Sequence, residues 1–424
     1  MCQANEEAVT LSRHILTLSP FSLNAEYHGG RRLSRFAAWL SADNWEVRSL
    51  SATRTSTTEA PHSTFISDPF GAWPVRTSST ATATGSSISR VARNRGWGRH
   101  LIPDPTIGWA IATLLSPKAH GLARWADVII SSSPPESPHL AASLLARIHG
   151  KAHVMDMRDG WLDEPLRPEL SSASIRARIE GRLEGHVARS AAAIIVTSPE
   201  WGSAFSARYP ECAQRIKVVR NAIASHPASP PTHRADVLRR WVYSGRFGGS
   251  HSDRDPRLLL HSLVREAFES SVPIDFRFVG ALTSSEVDLL TEFGSAIAQT
   301  GSRVSLVGQV PHAKAIAEVQ QADALLLLCA SQHALPSKLF EYAATGKPIL
   351  AACHQGSATW NACAGIKQAM RFGISQPTHC TTFSAFVSGS PAFEIDPELQ
   401  MDTARRQLLA LMHGAAGSRT SKRT

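Results

Sequence analysis

Short apolar runs alternate along the chain with longer amphipathic stretches. Runs such as residues 324–329 and 349–352 have the length and composition of strands buried on both faces of a sheet. Between such runs, apolar residues recur three and four positions apart, as at Leu33, Phe36 and Leu40, which is the spacing of a helix that packs on one face. Strands that alternate with helices in this way predict parallel α/β sheets.

The pattern predicts one such sheet in each half of the chain. A length of 424 residues exceeds what one ordinary core supports, so we expect two doubly wound domains. The predicted strands of the first half lie at 14–18, 45–50, 126–130, within 152–161, at 192–198 and at 216–223. Those of the second half lie at 241–244, 275–279, 304–307, 324–329 and 348–352.

Residues 51–100 interrupt this alternation. They are rich in Ser and Thr and carry little periodic apolar content, which predicts a long mobile loop. The last part of this loop, residues 88–100, interleaves basic residues with Val91 and Trp97. Such a segment fits an anionic membrane surface, and it equally fits a solvated helix with one face against its domain. Both interpretations stay open.

The charge of the chain narrows the class of partner. The sequence has 44 Lys and Arg against 35 Asp and Glu, a formal net charge of +9. This excess favours anionic partners, namely a diphosphate, a lipid surface or nucleic acid, although a generally solvated basic surface also explains it. We expect no nucleic-acid partner, because no nucleic-acid-binding motif accompanies the charge.

Apolar segments for membrane insertion or secretion are not evident in the sequence. No apolar run approaches the ~18 residues of a membrane span, and the first residues lack the basic start and apolar core of a signal peptide. We therefore expect a cytoplasmic protein, with peripheral attachment at the inner face of the membrane as an open option.

The stretch at residues 335–348 carries the clearest functional signal. It lies between two predicted strands, with Pro336 placed for the first turn of a helix and Gly346 for its carboxyl-terminal cap. This helix begins at the carboxyl end of a parallel sheet, where free N–H groups and the helix dipole favour an anion such as a diphosphate. Lys338 adds a positive charge, and Glu341 lies one turn further on, where a carboxylate accepts hydrogen bonds from ribose hydroxyls. A helix start that merely caps itself is the alternative.

Residues 335–348 resemble the nucleotide-sugar-binding signature of retaining GT-B glycosyltransferases, and of glycosyltransferase family 4 in particular. The resemblance implies an α/β fold with two Rossmann-like doubly wound domains that face each other across a cleft. It places an acceptor-binding domain at residues 1–224, a linker at 225–238 and a nucleotide-sugar-binding domain at 239–394. The tail at 395–424 is then expected to form a helix that returns to the first domain.

The resemblance also implies which residues hold the donor. Arg246 and Arg254 are expected to bind the donor phosphates, which suits Arg because its guanidinium donates two parallel hydrogen bonds to a phosphate. Glycines that end three strands let the nucleotide lie over the sheet. The implied donor-binding residues are Gly245, Arg254, Gly280, Gly308, Gln309, Val310, His333, Leu335, Pro336, Ser337 and Glu341.

The implied chemistry is transfer of a sugar, with retention of its anomeric configuration, to a glycan, a lipid-linked glycan or a small-molecule acceptor. Fixed cations stabilise the departing diphosphate, which assigns catalytic roles to Arg246 and Lys338. Asp159 is the third residue with a catalytic assignment. The implied acceptor-binding residues are Gly29, Gly30 and Arg158.

One position departs from the family's pattern. Many relatives have a Glu that contacts the donor sugar eight residues before the position of Glu341, and here that position is His333. A neutral imidazole and a carboxylate are not equivalent partners for a sugar hydroxyl. Two alternatives therefore stay open: a nucleotide-sugar epimerase on the same scaffold, and a degenerate, non-catalytic GT-B subunit that binds a partner transferase.

We expect no metal and no cofactor besides the donor substrate. Residues 253–255 read Asp-Arg-Asp, like a metal-binding pair of carboxylates, but Asp255 followed by Pro256 is an ordinary helix start. The six cysteines include no C-x-x-C pair that would indicate zinc. The expected partners are the nucleotide sugar, the acceptor and, as an open option, an anionic membrane surface.

Overall fold

The computed structural model describes residues 13–23, 29–53, 62–71, 100–163, 170, 174–223, 238–245, 256–374, 383–389 and 393–417. The strands are β1 (Arg13–Leu18), β2 (Trp45–Ser51), β3 (Ser63–Phe65), β4 (Val128–Ser133), β5 (Ala152–Met157), β6 (Ala193–Val196), β7 (Ile216–Val218), β8 (Arg239–Ser244), β9 (Ile274–Val279), β10 (Arg303–Gly308), β11 (Ala324–Cys329), β12 (Ile349–Cys353) and β13 (Ala369–Gly373). The α-helices are α1 (Arg31–Ser41), α2 (Ile107–Leu115), α3 (Pro117–Trp125), α4 (Ser137–Ile148), α5 (Ile175–Ser190), α6 (Pro199–Arg208), α7 (Pro256–Glu269), α8 (Ser284–Ile297), α9 (His312–Gln320), α10 (Ser337–Ala343), α11 (Ala358–Ala364), α12 (Phe383–Ser388) and α13 (Met401–Gly417).

The strands form two parallel sheets, as the alternation predicts. The first sheet has seven strands in the order β3-β2-β1-β4-β5-β6-β7, and the second has six in the order β10-β9-β8-β11-β12-β13. The strand order reverses between β1 and β4 in the first sheet and between β8 and β11 in the second. Ligands of open α/β sheets bind outside the carboxyl ends of the strands at such reversals. The predicted fold class is confirmed.

Helices cover both faces of the first sheet, which explains why its strands are apolar throughout. On one face Ile15 packs with residues of α1 and of the last helix, α13, among them Leu408 and Met412. On the other face Leu16 packs against α2, α3 and α4, including the buried Trp109. The carboxyl-terminal helix therefore belongs to the core of the first sheet.

The second sheet is covered in the same way. Trp241 of β8 packs with apolar residues of α7 and α8 on one face. The next residue, Val242, packs on the other face with Leu339 and Tyr342 of α10 and with residues of α11. Because successive side chains of a strand point to opposite faces, β8 contributes to both layers of this core.

The chain passes between the two sheets at two neighbouring places. Ile223 forms an isolated parallel bridge with Gln400. The Ile223 N–H donates to the Leu399 carbonyl at 3.0 Å, and the Met401 N–H donates to the Ile223 carbonyl at 2.9 Å. The sequence predicts a linker at 225–238, of which residues 225–237 lie outside the described residues. The two crossings thus lie side by side.

Two local predictions are wrong. Part of the loop predicted at 51–100 is a strand, because Ser63–Phe65 pairs in parallel with β2 at the edge of the first sheet. Three residues are too few to give a periodic pattern. The sequence predicts Pro336 in the first turn of α10. The helix begins one residue later, at Ser337, and Pro336 is its N-cap with an extended ψ of 134°.

The remaining segment predictions fall partly outside the described chain. Residues 54–61 and 72–99, which include most of the basic segment 88–100, lie outside the described residues. None of the helices in the described ranges combines the length and the apolar character that are needed to cross a membrane.

Candidate functional site

The strand-order reversal of the second sheet lies between the carboxyl ends of β8 and β11. Gly245 directly follows β8, and residues 330–336 lead from β11 into α10. The two strands pair in parallel, so both loops lie at the same edge of the sheet. The structure therefore brings Gly245 to the same edge as the predicted donor residues His333, Leu335 and Pro336.

Buried side chains fix α10 against this sheet. Leu339 and Phe340 are buried in its core. The hydroxyl of the buried Tyr342 accepts a hydrogen bond from the Ser244 N–H at 2.8 Å. Burial raises the pKa of Tyr342, so this phenol stays neutral. The end of β8 and helix α10 therefore keep a fixed relation to each other.

Lys338 lies against Gly245, and this close approach requires a glycine. The Lys338 ammonium occupies the place where a Cβ of residue 245 would lie, and Gly245 has a φ of +122°. The Lys338 Nζ lies 5.9 Å from the ring centre of Tyr243, within the range of a cation–π contact. The positive charge of Lys338 is thus held directly over the end of β8.

The other two predicted glycine turns lie beside this one. A Cβ on Gly280 would overlap the Gly245 carbonyl, and the Gly280 N–H donates to the Gly308 carbonyl at 2.8 Å. Beyond Gly308, the side chain of Gln309 is exposed, and Val310 packs against the core under α10. The three strand ends therefore lie side by side at Gly245, Gly280 and Gly308.

Two contacts join this region to the carboxyl edge of the first sheet. Arg31, the first residue of α1, has Nη1 3.3 Å from Oε1 of Glu341 in α10. Ser198, which follows β6, donates through Oγ to the carbonyl of His333 at 3.0 Å. The carboxyl edges of the two sheets therefore face each other, and Glu341 and His333 lie between them.

The side chain of His333 packs against the first domain. Its ring centre lies 6.1 Å from that of the buried Trp201. Its Nδ1 is buried and has no hydrogen-bond partner among the described residues. The contact of His333 with the donor sugar stays a prediction.

Arg158 fastens the loops at the carboxyl edge of the first sheet. Its guanidinium donates to the carbonyls of Gly29 at 2.9 Å, Ser133 at 2.6 Å and Pro134 at 2.5 Å. Three of its five N–H donors therefore hold main chain. Arg158 shapes the predicted acceptor loop, and its direct contact with an acceptor stays a prediction.

The other predicted residues of this edge lie close by. Gly30 is the N-cap of α1, and the ring of Phe21 fills the space that a Cβ of Gly29 would need. Asp159 is exposed, and its charge opposes the lowering of the Arg158 pKa by burial. The catalytic assignment of Asp159 stays a prediction.

A buried ion pair anchors the first turn of α1. Arg32 Nε lies 3.0 Å from Oδ1 of Asp156, and both side chains are buried. Arg32 also donates to the Val219 carbonyl at 2.7 Å and to Asn221 Oδ1 at 3.3 Å. The Ser132 hydroxyl donates to Asp156 at 2.7 Å. This network ties α1 to β4, β5 and the end of the first domain.

Sequence reasoning missed Arg31 and Arg32 as site residues. One signal could have found them. The dipole of a helix favours acidic residues in its first turn, and α1 has two arginines there. Basic residues against that preference indicate anionic partners elsewhere in the fold, here Glu341 and Asp156.

A buried polar cluster lies in the first domain, in β4, β5 and helix α4. Ser131 Oγ lies 2.7 Å from His139 Nδ1 and 2.7 Å from His153 Nε2, and all three residues are buried. Burial lowers the pKa of His153 to about 3, and burial together with the charge of His153 lowers that of His139. Both imidazoles are therefore neutral at ordinary pH.

A cavity of about 220 Å³ lies between the two domains. Its walls include Ser198 and Arg220 from the first domain, Asn361 of α11, and Glu398 beside the second crossing. Leu335 is the predicted donor residue that lines it. The cavity lies near the chain crossings, and Gly245, Gly280 and Gly308 are not among the residues that line it.

Two predicted phosphate-binding residues, Arg246 and Arg254, lie outside the described residues, as does the Asp-Arg-Asp sequence at 253–255. Within the described ranges, no group of three or more His, Cys, Asp or Glu side chains is arranged to hold a metal ion. In that part of the chain, the cations placed at the site include Lys338, Arg31 and Arg35, whose charge interacts with that of Glu341.

Residues 29–222 match the family model described as a glycosyl transferase 4-like domain. No curated protein matches the chain in sequence. Anabaena HepE in complex with UDP and glucose matches with a TM-score of 0.55 and 15% identity, over 96% of this chain and 100% of HepE. The lipopolysaccharide outer core galactosyltransferase WaaB matches with 0.53 and 14%, over 95% and 99%. A Rickettsia africae glycosyltransferase matches with 0.53 and 12%, over 95% and 93%.

These structures share the two-sheet architecture over nearly the whole chain. The chain has the GT-B fold. Identities of 12–15% establish this fold alone, so the activity has to be argued from the chain's own residues. The glycosyl transferase 4-like domain lies in the first of the two GT-B domains and does not extend to residues 335–348. Retention of configuration stays a prediction.

Proposed function

We propose that the protein transfers a sugar from a nucleoside diphosphate sugar to an acceptor hydroxyl, with retention of the anomeric configuration. The observation that carries this proposal is the position of Lys338 and Glu341 on α10, at the strand-order reversal and facing the first turn of α1. A nucleotide whose ribose hydroxyls donate to Glu341 places its diphosphate near Lys338. The GT-B fold and the glycosyl transferase 4-like domain support the same activity.

The proposed chemistry needs positive charge where the diphosphate departs. Lys338 lies next to Gly245 at the end of β8, so its charge is already near the proposed diphosphate position. The departing phosphate takes the proton of the acceptor hydroxyl, and no second carboxylate of the glycosidase type is required. Because HepE is in complex with UDP, we propose UDP as the first donor nucleotide to test.

Replacing Lys338 by Ala is expected to weaken UDP binding by roughly 1.5–3 kcal/mol, the range for a hydrogen bond to a charged group. Isothermal titration calorimetry with the full chain measures this directly. Lys367→Ala is a matched control, because Lys367 is an exposed lysine of the same domain that pairs with Glu394. Equal affinities for the variant, the control and the wild type would exclude Lys338 from the site.

The proposed function itself is tested by thermal shift and product analysis. A true donor raises the melting temperature by mass action, so a panel of nucleoside diphosphates and their sugars identifies it. Incubation with donor alone separates the alternatives: a second nucleotide sugar indicates an epimerase, and binding without turnover on any acceptor of a panel indicates a non-catalytic subunit. For a transferase, the anomeric configuration of the product, measured by NMR, tests retention.

We further propose an anionic membrane surface as a partner, on the basis of exposed apolar side chains in α2 and α4. Helices α2 and α4 each expose two large apolar side chains spaced four residues apart: Ile111, Leu115, Leu144 and Ile148. We call these four residues the α2–α4 patch.

His120 contacts both the Leu114 carbonyl and His149, which brings the carboxyl ends of the two helices together. The charged residues at 107–151 are four basic ones, Lys118, Arg124, Arg147 and Lys151, and two acidic ones, Asp127 and the buried Glu136. Exposed apolar side chains among basic ones suit an anionic lipid surface.

The double change Leu115→Glu with Ile148→Glu is expected to abolish binding to vesicles of phosphatidylcholine with phosphatidylglycerol. Co-sedimentation measures the bound fraction, with pure phosphatidylcholine as the neutral comparison. Phe268→Glu with Ile316→Glu, at exposed apolar positions of the second domain, is the matched control. If the wild type does not sediment with anionic vesicles, or sediments equally with neutral ones, the membrane proposal fails. A dimer that the double change dissociates would assign the patch to a second copy of the chain instead.

A further inference from the structure

The ion pair between Arg31 and Glu341 links a predicted donor residue to the opposite domain. The two residues are 310 positions apart in sequence, and Arg31 Nη1 lies 3.3 Å from Glu341 Oε1. The Glu341 side chain is 46% exposed, so a ligand can reach it from solvent. In this structure, the carboxylate proposed for the ribose is therefore already in contact with a cation.

Arg31 is presented to α10 from a fixed position. Its neighbour Arg32 is held by the buried ion pair with Asp156 and by the carbonyl of Val219. The preceding Gly30 caps the helix, and its carbonyl accepts from the Ser34 N–H at 2.9 Å. The backbone of Arg31 is thus anchored on both sides.

Lys338 lies on the same helix as Glu341, and Arg31 contacts Glu341 from the first domain. Lys338 and Glu341 are three residues apart on α10, and residues at that spacing are neighbours on one face of a helix. A ligand that extends from Glu341 towards Lys338 therefore passes within reach of the guanidinium that contacts Glu341.

We propose that Arg31 binds the diphosphate of the nucleotide from the first domain, and that it exchanges its contact with Glu341 for this one when the nucleotide binds. The inference rests on the proposed function and deepens it. A nucleoside diphosphate then contacts cations of both domains, Lys338 from the second and Arg31 from the first. The diphosphate, and not the nucleoside part, draws the two domains together.

The energies of the two contacts favour this exchange. An exposed ion pair between Arg and a carboxylate contributes little, because water and salt screen it. A diphosphate carries more negative charge than one carboxylate and presents oxygens that match the guanidinium fork. Ribose hydroxyls replace the guanidinium as donors to Glu341, so the carboxylate keeps its hydrogen bonds.

The inference is tested by comparing UDP with uridine on the full chain by calorimetry. For Arg31→Ala, the affinity for UDP is expected to fall about tenfold or more, the effect of losing one charge-assisted contact. The affinity for uridine is expected to stay equal or to rise by up to about fivefold, because Glu341 no longer has to leave an ion pair. Arg31→Lys keeps the charge without the fork and is expected to lie between Arg31→Ala and the wild type for UDP.

The matched control is Arg220→Ala. Arg220 Nη1 pairs with Glu398 Oε2 at 3.2 Å near the chain crossings, and its loss is expected to change neither affinity. An equal loss of UDP and uridine binding in Arg31→Ala would make Arg31 a tether between domains and overturn the inference. Unchanged UDP affinity in Arg31→Ala would also overturn it, while leaving the proposed function intact. If no nucleoside diphosphate of the panel binds the wild type, the proposed function fails together with this inference; if another one binds in place of UDP, it and its nucleoside replace UDP and uridine in this comparison.

Discussion

Replacing Arg32 by Ala is expected to lower the free energy of unfolding by about 3–5 kcal/mol, the range for breaking a buried ion pair by removal of one partner. The reason is the carboxylate that remains. Asp156 is fully buried and would keep only the hydroxyl of Ser132 as a donor among the contacts described. The Val219 carbonyl would also lose its 2.7 Å hydrogen bond from Arg32.

Equilibrium unfolding in urea measures this loss, and a second variant separates charge from packing. In Arg32→Met with Asp156→Leu both charges are gone, and the double variant is expected to be more stable than Arg32→Ala, because no unpaired charge remains buried. If Arg32→Ala unfolds within about 1 kcal/mol of the wild type, the ion pair does not hold the network together.

The second large effect is on acid stability. The folded pKa of His153 is about 3, against an ordinary value of 6.5, because the imidazole is buried. Between those pH values His153 binds a proton in the unfolded chain and does not bind it in the folded chain. The stability that the neutral imidazole contributes is therefore present above pH 6.5 and is lost as pH falls towards 3. One such group lowers the free energy of unfolding by about 1.4 kcal/mol per pH unit in that window.

Thermal or urea unfolding at a series of pH values tests this dependence. His153→Gln removes the titrating group, and its stability is expected to fall less steeply below pH 6.5 than that of the wild type. His261→Gln makes the same exchange at an exposed position of α7 and is expected to keep the wild-type slope. Identical slopes for His153→Gln and the wild type would show that His153 takes up its proton without unfolding.

The apolar pattern predicted the architecture, because a strand that is buried on both faces consists of consecutive apolar residues. Residues 324–329 are all buried, and the sequence there is an unbroken apolar run. The edge strand β3 could not be predicted in this way, because its three residues are only half-buried and are too few to show a period. An element without a buried stripe leaves no periodic trace.

Some residues of the candidate site could likewise be predicted from the sequence, and others could not. Lys338 and Glu341 could be named from the sequence, because both lie on one short helix at a strand end. Their partners could not, because Arg31 meets Glu341 across 310 positions and Arg32 meets Asp156 across 124. Contacts of that separation depend on how whole layers pack. Arg158 illustrates the reverse case, since its position was predicted and its three contacts with main-chain carbonyls were not.

The place of α13 has a consequence for synthesis of the chain. Leu408 and Met412 complete the core around Ile15 and Phe36, so the first domain lacks part of its interior until residues 401–417 have been synthesised. Until then its uncovered sheet face exposes apolar side chains, which is where association with other chains begins. Truncation after the second crossing would leave that face permanently open, and the damage would fall on the first domain.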